Sequence, residues 1–458
     1  MRTLTRRGLL GAAALAGAAA LAGCGLPGSS PRRPWEGEPA STEGLWGFVD
    51  ASGEWALPPR WHDARGFEGG LATVQYGAPA SATRDDPPLV GLIGEDGEMA
   101  FDPIVGDMVG PSGLSQGAFG VAMNWGSVPW DFVFYGTDGR RVAPAKGGLD
   151  NASPFRPADV LFGEPYALAR PSAGGWGALS LDGSWLMRPE RLKGDVKDLL
   201  FARTNEAGLL VVSASPGSDH WGVADASGSW VVEPRYDDMT VFRPGLGGRF
   251  AGFEEGGLWG LLARDCSVAV PAAYGRVERL ADADLYLAED PGTGLSGTLR
   301  GDLSGWEAGL RWSSYLGVEY TLSPIPSAGP LFARDGGTGL WGAASPGDGS
   351  WLVAPRWGDS PSPLGGLGPG LVAASDPEGG LWGIADAATG EWAVDPAFGA
   401  LGDLGPVGDD GPGLALAQGP GGGPWGLVDA SGAWVAEPAF KSFYAPGDNG
   451  LIPARSAG

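Results

Sequence analysis

The apolar residues of this chain fall in short runs that alternate with turns rich in Gly, Pro, Asp and Ser. Residues 44–61 show the pattern, with an apolar, β-prone run at 46–49, a turn at 50–53 and a second apolar run at 54–57. Two such runs separated by a turn predict a β-hairpin. No segment sustains the 3.6-residue period of an amphipathic helix, so we expect little helix.

Single residues predict where this hairpin turns and where it ends. Asp50 can accept a hydrogen bond from the backbone two residues on, and Gly53 can adopt the positive φ that the turn requires. Pro58 and Pro59 cannot donate to a strand ladder, so we expect the hairpin to end there. After a loop, residues 70–76 form a further β-prone run. The unit therefore has three or four strands.

The same unit returns up to the C-terminus. A Trp-Gly dipeptide opens copies at Trp46, Trp176, Trp221, Trp259, Trp341, Trp382 and Trp425. Degenerate copies near Val90, Trp130 and Ser296 fill the gaps, so units begin about 40 residues apart, as propeller blades do. The array starts on a hairpin at Gly44 and ends on a lone strand at 450–455, and pairing the two would close it. We predict an all-β, propeller-like closed array of about ten three- to four-stranded units; an open β spiral and two smaller propellers are the alternatives.

The Trp residues divide between core and surface according to this frame. We expect the Gly after each in-frame Trp to allow a close approach of neighbouring backbone or rings. The in-frame Trp side chains would then cover the hairpins and fill the contacts between units. The Trp residues outside the frame are the candidates for a binding surface: Trp35, Trp125, Trp130, Trp306 and Trp312.

The full motif is W-G-Φ-Φ-D-x-x-G-x-Φ-Φ-Φ-x-P-x-[FYW]-D followed by F-x-x-G-L-A-x-V, carried well by residues 234–237 and 67–72. It resembles the bacterial WG-containing repeat family over nearly all of residues 44–458. The chain departs from the motif near 296–325, where both the Trp-Gly and the turn Gly fail. The resemblance implies an all-β array without a common enzymatic activity, usually taken as an interaction module.

The N-terminus is predicted to be an export signal. Residues 1–23 have a basic start followed by a run of Gly, Ala and Leu that is too short to cross a bilayer as a stable helix. This pattern is typical of a signal peptide. Arg6 and Arg7, followed by Gly-Leu-Leu, resemble the start of a twin-arginine export signal.

The end of that run resembles a bacterial lipobox. Leu-Ala-Gly-Cys at 21–24 carries the resemblance, which implies cleavage before Cys24 and lipidation of this residue. Residues 24–43 are rich in Pro, Ser, Gly and Glu and are predicted to be a flexible linker between the anchor and the array at 44–458. We expect a membrane-anchored lipoprotein of the cell envelope that faces outside the cytoplasm.

Charge and composition exclude several functions. The 458-residue chain has a formal net charge of −24, which repels phosphate backbones and argues against nucleic-acid binding. Two His and two Cys provide neither a multi-His or Cys-x-x-Cys metal site nor an evident Ser-His-Asp triad. We therefore expect no metal, no cofactor and no catalytic residue. Cys266 takes the place of a turn Gly, and we expect it to be inert.

Carboxylates recur in the frame. Asp50, Asp225, Asp386 and Asp429 lie four residues after the Trp of their units. They could form a ring of carboxylates that binds cations or a substrate, but the chemistry of the turns explains their spacing. We favour turn capping.

These observations predict a lipid-anchored, exported scaffold that binds a protein or a cell-envelope polymer without catalysis. The alternative is a polysaccharide hydrolase or lyase on a propeller, with loop carboxylates as its catalytic groups. We expect specific function in the loops between Pro59-like and Leu71-like positions, because the units differ most there.

Overall fold

The computed structural model describes most of the range Pro39–Gly458. Within the described ranges the chain forms strands and turns and no α-helix. Accordingly, those ranges contain no helix with the length and apolarity that a membrane span requires. The described residues are 39–78, 87–108, 113–124, 131–144, 148–158, 163–171, 175–189, 199–200, 209–213, 220–225, 229–239, 250–263, 265–279, 285–315, 330–345, 347–408 and 411–457.

The strands are short and follow one another at close intervals. In chain order they are β1 Trp46–Val49, β2 Trp55–Trp61, β3 Asp63–Ala64, β4 Leu71–Tyr76, β5 Leu89–Gly94, β6 Ile104–Val105, β7 Ala118–Ala122, β8 Phe132–Gly136, β9 Arg141–Ala143, β10 Leu149–Ala152, β11 Tyr166–Pro171, β12 Gly177–Ser180, β13 Trp185–Met187, β14 Leu199–Leu200, β15 Leu209–Ser213, β16 Trp221–Asp225, β17 Trp230–Tyr236, β18 Asp238–Met239, β19 Phe250–Glu255, β20 Leu258–Ala263, β21 Val268–Tyr274, β22 Arg276–Arg279, β23 Leu285–Glu289, β24 Ser296–Arg300, β25 Trp306–Tyr315, β26 Leu331–Asp335, β27 Trp341–Ala344, β28 Trp351–Trp357, β29 Ser362–Pro363, β30 Leu371–Ser375, β31 Trp382–Asp386, β32 Trp392–Phe398, β33 Ala400–Asp403, β34 Ala415–Gln418, β35 Trp425–Val428, β36 Trp434–Phe443 and β37 Ile452–Ser456.

These strands form repeat units in antiparallel sheets, so the predicted all-β class is confirmed. A complete unit has four strands, which we name in chain order the first, second, WG and Pro strands. Numbered by their WG strands, the units are β37-β1-β2 (unit 1), β3–β6 (unit 2), β7–β9 (unit 3), β10–β13 (unit 4), β14–β17 (unit 5), β18–β21 (unit 6), β22–β25 (unit 7), β26–β28 (unit 8), β29–β32 (unit 9) and β33–β36 (unit 10).

The Pro strand is longer than the sequence indicates. The expected end at Pro58-Pro59 is wrong, because β2 continues through both residues and pairs at Trp61 with β1. This strand lies at the edge of its sheet, where a missing N–H donor on the outer side costs nothing. In β36 the chain runs further still, pairing first with β35 and then with β37 of the next unit.

The Gly of each Trp-Gly dipeptide lies under a carbonyl of the Pro strand. A register shift between β1 and β2 brings the Leu57 carbonyl oxygen to 2.6 Å from where a Cβ on Gly47 would lie. Any side chain there would collide with backbone, so the expected close approach is confirmed. The equivalent distance is 2.5 or 2.6 Å at Gly177, Gly222, Gly260, Gly342, Gly383 and Gly426.

Unit 7 keeps this architecture although its sequence departs from the motif. Ser296 stands where other units have Trp, and a Cβ on Gly297 would lie 2.6 Å from the Ala308 carbonyl oxygen. Ser296 pairs with Trp312 and Leu299 with Trp306. Unit 7 therefore has the same shifted hairpin as its neighbours.

This register corrects the assignment of Trp312 to a binding surface and shows the place of Trp306 in the motif. Trp312 occupies the place of Trp61, opposite the start of the WG strand, and is fully buried. Trp306 occupies the place of Trp55, the second Trp of the motif, and is half-buried. Both lie in frame, and the absence of a Trp-Gly dipeptide in unit 7 concealed this from sequence reasoning.

Neighbouring units are joined by apolar clusters, each of which spans two units. Trp61 of unit 1 packs with Phe67 of unit 2, for example. The same arrangement joins the last unit to the first, since Leu427 of unit 10 packs with Ile452 and Val49 of unit 1.

The turn between the WG and Pro strands also contacts the preceding unit. Gly390 lies against Val353 of unit 8, and Gly53 of unit 1 lies against Ala436 of unit 10. In unit 6 this Gly is replaced by Cys266, which adopts a φ of 63° and packs in the apolar cluster between units 5 and 6. Burial, followed by the charge of the neighbouring aspartate, raises the pKa of the Cys266 thiol and so disfavours the reactive thiolate.

The two ends of the array pair with each other. β1 lies antiparallel to β37 over the full length of β1, with Trp46 opposite Arg455 and Val49 opposite Ile452. The Gly44 amide donates to the Ser456 carbonyl oxygen at 3.1 Å. The hairpin that opens the array thus obtains its second strand from the C-terminus, as the sequence predicts.

Candidate functional site

Antiparallel order places two sets of turns at one end of each unit. These are the turns between the first and second strands and those between the WG and Pro strands, which together we call the turn face. The loops in which we expect specific function belong to the first set. A side-chain contact supports this placement, because the Asn449 amide nitrogen, in a turn of unit 1, donates to Glu95 Oε1 of unit 2 at 3.1 Å.

Carboxylates clamp the turns of neighbouring units together. Asp448 Oδ2 accepts from the Gly69 amide at 2.6 Å, and Glu68 Oε1 accepts from the Gln116 amide at 3.2 Å. Burial raises the pKa of Glu68, the Gln116 amide opposes this shift, and the charge of Asp448 adds to it. Charged acceptors bound to backbone amides make strong hydrogen bonds, so these turns hold fixed relative positions.

An aromatic stack lies where units 1 and 2 meet. The rings of Trp46 and Tyr444 are 4.4 Å apart and within 3° of parallel. Arg65 belongs to unit 2, and its guanidinium lies 4.7 Å from the centroid of the Tyr444 ring. The Nη1 atom of Arg65 is 2.6 Å from Asp63 Oδ1. We call Trp46, Tyr444 and Arg65 the junction stack. Trp46 and Arg65 pack against the Tyr444 ring and leave 40% of that residue exposed.

The start of the array is bound beside this stack. Arg455 Nε donates to the Gly44 carbonyl oxygen at 2.8 Å. Lys441 Nζ lies 3.6 Å from Glu43 Oε1 in an exposed ion pair of small energetic weight. These contacts fix the point at which the chain enters β1.

The in-frame aspartates cap turns, as we favoured from their spacing. Asp50 Oδ1 accepts from the Ser52 amide at 2.8 Å, and Asp429 Oδ1 from the Ser431 amide at 2.8 Å. Asp386 Oδ1 accepts from the Thr389 amide at 2.8 Å, and Asp225 Oδ1 from the Ser229 amide at 3.0 Å. These bonds lower the pKa values of Asp50, Asp386 and Asp429. The turn-capping prediction is confirmed.

The turn aspartates predict a loss of stability in acid. Hydrogen bonds from Ser180 and Ser184 lower the pKa of Asp182 from 3.8 to about 2, and bonds from Ser350 and Ser345 do the same for Asp348. A lowered folded-state pKa contributes stability above the unfolded value, and this is lost as pH falls through the folded value. We expect the melting temperature to fall between pH 4 and pH 2, and the Asp182→Asn, Asp348→Asn double variant to show a smaller fall. An identical fall in both proteins would contradict this.

One carboxylate has a different environment. Asp107 is 5% exposed, and burial raises its pKa despite hydrogen bonds from Gln75 and the Met108 amide; the charge of Asp63 raises it further. A buried acid of this kind favours its protonated form. Since Asp107 contacts residues of units 2 and 3, it contributes to the packing between units.

The other site residues predicted from the sequence lie either in the hairpin of unit 7 or outside the described ranges. Trp306 and Trp312 belong to the hairpin of unit 7, as described above. No group of three or more His, Cys, Asp or Glu side chains suited to a metal ion occurs within the described ranges. The other predicted site residues lie outside those ranges: Arg6, Arg7, Cys24, Trp35, Trp125 and Trp130.

The exposed aromatic that the structure shows is one that sequence reasoning missed. Among the large apolar residues that are exposed in the described part, Tyr444 is the aromatic one. It belongs to none of the Trp-based patterns, because it follows the end of the last Pro strand. Tyr444 is the fourth residue after Phe440, just as Arg65 is the fourth residue after Trp61. This shared position in the repeat was the signal available in the sequence.

Comparison with known proteins supports the repeat. The sequence model of the WG containing repeat matches residues 46–78, 221–259 and 425–458. No curated protein matches the chain.

Distant similarity to solved structures concerns the fold alone. A eukaryotic initiation factor is 12% identical over 64% of this chain and 78% of its own, with a TM-score of 0.38. Dihydro-heme d1 dehydrogenase NirN is 13% identical over 80% and 75%, with a TM-score of 0.33. Hsv2 of Kluyveromyces lactis is 12% identical over 60% and 93%, with a TM-score of 0.31. This all-β chain contains WG-containing repeats, which the family model recognises in three places.

Proposed function

We propose that this chain is an exported, lipid-anchored scaffold that binds a protein or cell-envelope polymer through its rigid surface. The observation that carries the proposal is the junction stack, in which an exposed Tyr444 is held between Trp46 and Arg65. Tyr, Trp and Arg are the residue types that dominate binding energy at interfaces. A ring already fixed in place loses little conformational freedom on binding.

The same proposal includes closure of the ten units into a ring. Three observations support it: the pairing of β1 with β37, the apolar cluster shared by units 10 and 1, and the contact of Gly53 with Ala436. The pairing supplies unit 1 with its second strand from the C-terminus, and the other two repeat between units 10 and 1 a contact found between consecutive units. A ring fixes the positions of the turns and leaves no free end of the array to fray.

The described carboxylates favour binding over catalysis. The in-frame aspartates are engaged in turns, Glu68 in a clamp and Asp107 in packing between units. A glycosidase would need two carboxylates that converge on a substrate. The proposal therefore assigns these groups to the scaffold.

Binding can be tested by truncating two exposed side chains, one in the junction stack and one outside it. Residues 39–458 carrying a C-terminal tag would be cross-linked to isolated cell-envelope material, and captured molecules quantified for wild type, Tyr444→Ala and Leu352→Ala. Leu352 is 54% exposed on a Pro strand and serves as the control. We expect Tyr444→Ala to reduce capture about tenfold or more, as for an interface anchor, and Leu352→Ala to leave it unchanged. Equal capture by all three would contradict the role of the junction stack.

The proposed lipid anchor is tested by expressing the full-length chain in cells and separating the membrane pellet from the soluble fraction. Cys24→Ser removes the lipid acceptor, so we expect the protein to move from the membrane pellet to the soluble fraction. Retention of the variant in the pellet would contradict the proposed anchor.

A further inference from the structure

The chain holds a single Asn-Gly dipeptide. Its four asparagines are Asn124, Asn151, Asn205 and Asn449, followed by Trp, Ala, Glu and Gly respectively. Cyclisation of an Asn side chain onto the next backbone nitrogen is least hindered when that next residue is Gly, which has no Cβ. Asn449 is therefore the asparagine most open to this chemistry on steric grounds.

We propose that Asn449 is a site of spontaneous deamidation and that its conversion loosens the contact between units 1 and 2. The inference goes beyond the proposed binding function and does not depend on it. Asn449 lies in the turn face, between β36 and β37, and its amide nitrogen donates to Glu95 Oε1 at 3.1 Å.

The local hydrogen bonds favour attack on the side-chain carbonyl. The Leu451 amide donates to Asn449 Oδ1 at 3.1 Å, which polarises the carbonyl and can stabilise the oxyanion that forms on Oδ1. Gly450 adopts a φ of 80°, and its amide donates to the Gly447 carbonyl oxygen at 3.0 Å. That last bond must open before Gly450 can react, so opening of the turn sets the rate.

The reaction needs only water as a co-reactant. The Gly450 nitrogen bonds to Cγ of Asn449, the Cγ–Nδ2 bond breaks, and the proton of the Gly450 amide leaves with Nδ2 as ammonia. Water then opens the resulting succinimide at either carbonyl. The products are an ordinary aspartyl residue at this position, or an isoaspartyl residue whose backbone is one carbon longer.

Either product changes the contact with unit 2. The amide that donates to Glu95 becomes a carboxylate, so a hydrogen bond is replaced by repulsion between like charges. The adjacent Asp448, which accepts from the Gly69 amide, would then be part of an acidic group facing the same unit. Conversion therefore weakens the turn contacts that accompany the β1–β37 pairing.

The modification is tested by ageing the folded protein of residues 39–458 at mildly alkaline pH. Peptide mass spectrometry would follow the mass gain of Asn-to-Asp conversion at each asparagine. We expect the peptide with Asn449 to convert while the peptide with Asn151 remains unmodified, and Asn449→Gln to abolish the early conversion. Conversion of Asn449 in urea but not in the folded protein would overturn the proposal, as would equal rates at Asn449 and Asn151.

The consequence is tested separately with Asn449→Asp and Asn449→Ala. Both remove the hydrogen bond to Glu95, and Asp also adds repulsion. We expect a lower melting temperature for Asp than for Ala, with a difference that shrinks at high salt because exposed charges are screened. Equal melting temperatures in low salt would overturn the claim that deamidation loosens the contact. Because these readouts involve no partner, their outcome is independent of the capture experiment.

Discussion

Deletion of residues 444–458 is expected to destabilise the array more than any single substitution. The deletion removes β37, so β1 loses its partner along its whole length and the buried side chains of Ile452 and Ala454 are lost. It also removes Tyr444 from the junction stack and the Asp448 clamp to Gly69. Burial, stacking and hydrogen bonding together amount to a loss on the order of 5 kcal/mol or more. Thermal unfolding followed by circular dichroism measures it.

Two controls separate loss of the strand from loss of the chain end. Deleting only Gly458 leaves β37 and the hydrogen bond from the Ala457 amide to the Ala439 carbonyl oxygen intact, and should not change the melting temperature. Adding the peptide 444–458 to the truncated protein should restore part of the lost stability, because the peptide can pair with β1. A truncated protein as stable as wild type would show that the ends of the array do not depend on each other.

Trp357→Ala is expected to cost about 3–5 kcal/mol, the usual range for removal of a large buried aromatic side chain. Trp357 is fully buried at the end of its Pro strand, where it packs in the cluster shared by units 8 and 9. Its loss leaves a cavity between two units. Because repeat arrays derive much of their stability from contacts between neighbours, we expect units 8 and 9 to unfold first.

Trp351→Ala is the matched control, since Trp351 lies on the same strand but is only half-buried. We expect a clearly smaller loss of stability for this variant in urea unfolding. Equal losses for the two variants would show that burial does not decide the effect. A loss below about 1 kcal/mol for Trp357→Ala would contradict the proposed core role, because such values are typical of surface substitutions.

The sequence predicted the repeat and its turns because these depend on local pattern. The hairpin at Trp46, the turn cap at Asp50 and the close approach at Gly47 each follow from residue type and spacing. The pairing of the ends was predictable as the preferred arrangement, since an unpaired hairpin at one end and a lone strand at the other are complementary.

Other features of the structure could not be predicted, because they depend on how strands and units are arranged relative to one another. Pro58 and Pro59 were read as strand ends because sequence does not show that the strand lies at an edge. Trp312 was assigned to the surface because unit 7 lacks the dipeptide that sets the frame. The junction stack joins residues about 380 positions apart, Tyr444 on Arg65, and no periodicity within one unit indicates such a contact.

The pairing of β1 with β37 has a mechanical consequence. Gly44 and Ser456 are hydrogen-bonded, so the two ends of the array emerge from the same point of the sheet. A force that pulls these ends apart would load the Gly44–Ser456 bond first and then the ladder one rung at a time, as a zipper opens. A force that acts between Gly44 and the turn face would instead be shared along the full length of several strands. The array is therefore weak against tension between its own ends and strong against tension across its body.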